Sequence, residues 1–102
     1  MILNIKNKDR FVGTQFWNGY FLCTQAVETD TNYRFQFLDK RNSTLRYIWI
    51  EVSRIGHHNR IEDEYEYKLN YLNCGEHVVT AKWFEDYKNA MDTFGGALKK
   101  QF

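Results

Sequence analysis

Three histidines, two cysteines and thirteen acidic side chains are the groups in this 102-residue sequence that could do acid–base, nucleophilic or metal chemistry. His57 and His58 stand side by side and are followed by Glu62, Asp63 and Glu64, a composition that would suit a metal ion. The spacing argues against it. A helical metal pair places its ligands one turn apart, as in HExxH, and adjacent side chains on an extended segment point to opposite sides. An HNH-type nuclease would need further His and Asn ligands in a ββα setting, which the sequence does not offer. His77 opens a short strand after a turn and reads as a local hydrogen-bonding residue. No metal and no other cofactor is expected.

Nucleophiles fare no better. Cys23 and Cys74 lie far apart without a CxxC spacing, and read as two reduced thiols. There is no GxSxG elbow, P-loop or GxGxxG. Gly95-Gly96 falls near the end of a helical pattern, where glycine is a stop signal, although the pattern could continue through Leu98; anions favour the other end of a helix. The carboxylates of 62–66 alternate onto a solvent face. The chain is therefore expected not to be an enzyme.

The cations suggest a second chemistry. Lys40, Arg41 and Arg46 flank one loop, and Arg34 is expected on the face of Arg46, so the four could touch a nucleic-acid backbone. YRFQF has the aromatic alternation of a base-stacking sheet surface, but lacks the Arg/Lys-Gly opening of an RNA-recognition strand, and one helix is available where that fold needs two. A net charge of +1 and the acidic 62–66 run weaken this alternative.

Apolar surface is the third candidate. FWNGYF, residues 16–21, holds Asn18-Gly19, the commonest two-residue hairpin turn, because both positions tolerate positive φ. Trp17 and Tyr20 frame the turn on one face, Phe16 and Phe21 on the other. The strand 44–53 repeats the pattern, with Tyr47 and Trp49 on one side and Ile48, Ile50 and Val52 on the opposite side. One helix cannot cover both sheet faces, so either the sheet curls on itself or a partner covers the second face. Exposed apolar patches rimmed by polar groups mark interfaces, and Trp and Tyr are enriched at their hot spots. Trp17, Tyr20, Ile48 and Ile50 are the candidate protein-binding residues.

The elements that position these groups follow from periodicity. Residues 11–28 read as a hairpin, with Phe16 opposite Phe21 and Thr14 opposite Cys23. YRFQFL alternates, and pairing Leu38 with Thr44 would set Phe37, Phe35 and Tyr33 against Leu45, Tyr47 and Trp49. Residues 53–61 show no period and read as a loop. EYEYKLNYL alternates strictly, with Tyr65, Tyr67, Leu69 and Tyr71 inward and Glu64, Glu66, Lys68 and Asn70 outward. His77 to Val79 is a short strand, and Thr80 an N-cap for one helix carrying Trp83, Phe84, Tyr87, Ala90, Met91 and Phe94. Residues 2–7 could add an edge strand. The expected class is α+β: an antiparallel meander-like sheet of five to six strands with one C-terminal helix on one face, as a single domain over residues 1–102.

Hydrophobic residues at 43% and aromatics at 18% can fill such a core without disulfides. No apolar run is long enough to span a membrane, and MILNIKNKDR lacks the apolar stretch of a signal peptide, so the cytoplasm is the expected compartment. Phe, Tyr, Ile, Asn and Lys outnumber Gly, Ala, Arg and Pro by more than two to one, the mark of A/T-rich codons. Together these features lead us to expect a small phage or mobile-element protein that binds another protein, or a second copy of itself. The sharpest version is a stoichiometric inhibitor of a host defence nuclease complex, of the anti-CRISPR kind.

Overall fold

A computed structural model describes residues 8–30, 32–41, 45–59, 64–71 and 75–100, with the backbone alone for 54–59, 64–66, 81 and 85. The readings made for residues 2–7, Glu62, Asp63 and Cys74 lie outside the described residues, as do those for the side chains of His57, His58, Glu64, Tyr65 and Glu66.

A 3₁₀ turn, Lys8–Phe11, leads into β1 (Gln15–Phe16) and β2 (Phe21–Glu28). Their connection is the expected tight turn. Asn18 (φ 54°) and Gly19 (φ 83°) both take left-handed backbone, and Tyr20 N donates to Trp17 O at 3.1 Å. The meander continues through β3 (Asn32–Asp39), β4 (Arg46–Asn59), β5 (Glu64–Tyr71) and β6 (Gly75–Thr80). Each strand pairs antiparallel with its neighbours in sequence, giving one six-stranded sheet in the order β1-β2-β3-β4-β5-β6. The α+β class and the meander are as the periodicity predicts.

Two strand readings need correction. Asp39 pairs with Arg46, and Phe37, Phe35 and Tyr33 pair with Ile48, Ile50 and Val52. This register is three residues away from the Leu38–Thr44 pairing, and an odd shift exchanges the faces of a strand. The inner face is crowded by rings from other elements, so the slimmer Ile and Val side chains fit beside Phe35 and Phe37. Tyr47 and Trp49 turn outward, where their polar tips stay wet. The segment 53–61, expected as a loop, instead extends β4 to Asn59, with His57 opposite Tyr65 and register shifts at Arg54/Gly56 and His57/Asn59. The regular partner strand β5 carries the aperiodic one, since ladder hydrogen bonds do not depend on side-chain pattern.

The helical region is also divided. Thr80 caps the first turn as expected, its hydroxyl accepting from Trp83 N at 3.2 Å. The helix α1 (Ala81–Glu85) then ends, because Asp86 adopts extended backbone (ψ 123°) and its carboxylate accepts from Asn89 N at 3.1 Å. Asp86 thereby caps a second helix, α2 (Tyr87–Lys99). Of the two endings, a stop at Gly95-Gly96 or continuation through Leu98, the second holds: α2 runs through both glycines, because Phe94, Ala97 and Leu98 are buried on either side of them. The core lies between the inner sheet face and these helices. Phe94 is its hub, with ring centroids within 4.7–6.2 Å of Phe11, Phe16, Phe35, Phe37 and Phe84. No helix of the described residues is long and apolar enough to cross a membrane.

Candidate protein-binding site

At the hairpin tip, the backbone of Trp17 itself has φ 49°. Positive φ in a bulky residue is a true outlier and costs on the order of 1–2 kcal/mol. It rolls the indole back toward the sheet, tilted against Tyr20 at 5.3 Å and stacked on Phe21 at 6.1 Å between centroids. Trp17 is thus half-buried against the core, while Tyr20 is 44% exposed. The two rings do meet at the turn, but Tyr20 is the more exposed.

Beside this tip runs α2. Gln15, Phe16, Trp17 and Asn18 form one wall of a groove of about 490 Å³, and Met91, Asp92, Gly95, Gly96 and Lys99 form the other. Phe16, Trp17 and Met91 give it an apolar floor; Gln15, Asn18, Asp92 and Lys99 give it a polar rim. Gly95 and Gly96 leave the α2 wall as bare backbone. A Cβ at either position would meet nothing within 4 Å, and neither has positive φ. Glycine in a helix costs about 1 kcal/mol relative to alanine. Packing within the described residues does not call for glycine at either position.

The other candidates sit elsewhere. Ile48 and Ile50 are wholly buried in the core, which removes them as contact residues; their neighbours Tyr47 and Trp49 hold the exposed positions. The cations do not gather into a free basic patch. Arg34 points outward and pairs with Glu51 at 3.2 Å. Arg46 lies opposite Asp39, on the inner parity of the strand, so it does not share a face with Arg34. Asp39, nearly inaccessible, accepts from Arg41 Nε (2.8 Å), Nη2 (2.6 Å) and backbone N (3.0 Å), and from Arg46 Nε (3.0 Å). The Arg41 guanidinium holds the Asp39 carboxyl well below the usual carboxylate range, against the opposing effect of burial. Arg41 also lies 5.0 Å over the Phe21 ring. Lys40 is half-buried, its backbone N donating to Tyr20 O at 2.8 Å. This cluster ties the end of β3 and the start of β4 to the hairpin rather than offering its charges to phosphate.

Cys23 is wholly buried, and that burial pushes its thiol up to about 11, offset in part by the Gln25 backbone. Such a thiol is a core residue, not a nucleophile. Comparison with protein-family models, with curated proteins and with solved structures finds no match.

Proposed function

We propose that this chain is a non-enzymatic binding module that takes a segment of another protein into the groove between the hairpin tip and α2. One observation carries the reading: two helix-weakening glycines, which internal packing does not require, face a Trp held in strained backbone across one groove. Strained backbone persists only where the surrounding structure over-determines it, and such positions cluster at functional sites. Bare helix backbone lets a second backbone come closer than any side chain would allow. The polar rim carries one anion and one cation, Asp92 and Lys99, and so suits a peptide segment better than a polyanion. The use we propose for such capture is stoichiometric inhibition of a host defence enzyme, read from the small size, the A/T-rich codon composition and the lack of a catalytic motif in the sequence taken together.

The test pairs stability with capture. Gly95→Ala with Gly96→Ala should stabilise the fold by about 0.5–1 kcal/mol per site, since there is room for each methyl. The same variant should lose partner capture from bacterial lysate, saturating in the wild type near one copy per partner site. A stabilised variant that captures as well as wild type would remove the groove from the function. Capture abolished by nuclease treatment, or by Arg34→Ala with Arg46→Ala, would instead favour the nucleic-acid alternative.

A further inference from the structure

The sheet has a second face, turned away from α1 and α2, over which no described element lies. Its residues divide along β4. At one end Leu45 and Tyr47 stand 60% and 59% exposed, beside Leu38 and Leu22 on the neighbouring strands. At the other end is a hollow of about 270 Å³ lined by Trp49, Arg34, Glu51 and Asn70. Register explains the hollow: Arg34 and Asn70 flank Glu51 on the two adjacent strands. Trp49, 39% exposed, stands between the projecting Tyr47 and the hollow.

A projection and a hollow placed on one face, about 7 Å either side of a central residue, form a self-complementary surface. A two-fold axis lying in the interface, across β4 at Trp49, turns Tyr47 of each copy over the hollow of the other. This is the reciprocal contact of an isologous pair. The volumes agree, since a cavity of about 150 Å³ already holds benzene. The charges agree as well. Arg34 and Glu51 neutralise each other at 3.2 Å, so the hollow suits a neutral phenol, whose hydroxyl finds donors and an acceptor there. Five strands, β2 to β6, about 4.8 Å apart and six to fourteen residues long, make a face of roughly 25 by 25 Å. Side-chain relief raises its accessible area toward the roughly 800 Å² per partner of a standard interface.

We propose that this outer face is covered by a second copy of the chain, Tyr47 of each copy seated between Arg34, Glu51 and Asn70 of the other. The pairing is independent of the groove and leaves it open on both copies, so the dimer presents two binding grooves.

The experiment is sedimentation equilibrium of the purified chain across a concentration series. Wild type should reach twice the 12.3 kDa chain mass. Tyr47→Glu and Asn70→Lys should each stay folded by circular dichroism and raise the dimer dissociation constant at least about thirtyfold. Mixed together, the two variants should recover the dimer. The mixed pair sets a new carboxylate against a new ammonium in one hollow and keeps the native contact in the other. A wild type that is monomeric up to its solubility limit overturns the proposal and leaves the face to another protein. A dimer that tolerates Tyr47→Glu, or variants that do not rescue each other, overturns it too.

Discussion

Asp39→Asn removes a charge at the point where four hydrogen bonds converge on one nearly inaccessible carboxylate. Three of the four donors belong to Arg41, whose side chain is itself only 11% exposed. Arg46 is mostly exposed, and its share is small because water screens it. Breaking a buried pair from one side typically costs about 3–5 kcal/mol, since the remaining ion is left desolvated. The amide oxygen of Asn still accepts from one or two donors, so the lower end, about 3 kcal/mol, is expected. With a urea slope of roughly 1.5 kcal/mol per molar, the midpoint at pH 7 should fall by about 2 M. The pH dependence separates charge from shape. The folded-state carboxyl titrates below its unfolded value near 3.9, so its contribution is fully present above that pH and is lost as pH falls toward the folded value. The gap between wild type and Asp39→Asn should therefore hold from pH 7 to about 5 and shrink by about 1.3 kcal/mol by pH 3. A gap that stays constant from pH 5 to pH 3 would refute the charge argument and leave a steric one.

Three further outcomes can be checked with the same protein. Gly19→Val should cost at least about 1 kcal/mol in urea unfolding, because a β-branched residue resists φ 83° and its Cβ would stand 2.9 Å from Gln15 Oε1; an unchanged midpoint would dissolve the turn argument. Phe94→Ala should cost about 3–5 kcal/mol and leave the domain marginal, and a loss under 1 kcal/mol would mean that the five surrounding rings repack without it. Cys23 should resist alkylation at pH 8 in the folded protein and react once urea unfolds it, as mapped by peptide mass; rapid native labelling would contradict its burial.

The features legible in the sequence were those set by neighbours in the chain. Asn18-Gly19 announced its turn, the alternation of Tyr67, Leu69 and Tyr71 announced its buried face, and Thr80 announced its cap. Each depends on backbone preference or a period of a few residues. The register of β3 on β4 does not. The pairing of Leu38 with Thr44 packs large side chains on one face, and the register three residues away is chosen by rings arriving from Phe11, Phe16, Phe84 and Phe94. One local signal did carry it: Asp39 continues the inward alternation of Tyr33, Phe35 and Phe37, so an inward cation was needed opposite it, and Arg46 is that cation. The passage of α2 through Gly95-Gly96 is likewise decided by burial, which overrides helix propensity, whereas the break at Asp86 is made by a second cap. Trp17 and Tyr20 were visible as a pair at a turn. The groove beside them was not, since it exists only once α2 lies against β1.

The hub at Phe94 also sets an order of events. All strand pairs join sequence neighbours, so the meander can zip up from short loops. Phe94, by contrast, must find Phe11, Phe16, Phe35 and Phe37 across most of the chain, and such long closures are slow. On the ribosome the strands emerge before α2, with Phe35, Phe37, Ile48 and Ile50 facing water until that helix is made and docks. Between those two moments the nascent sheet is bare on both sides, and that interval is when a chaperone would bind it or two unfinished chains would stick.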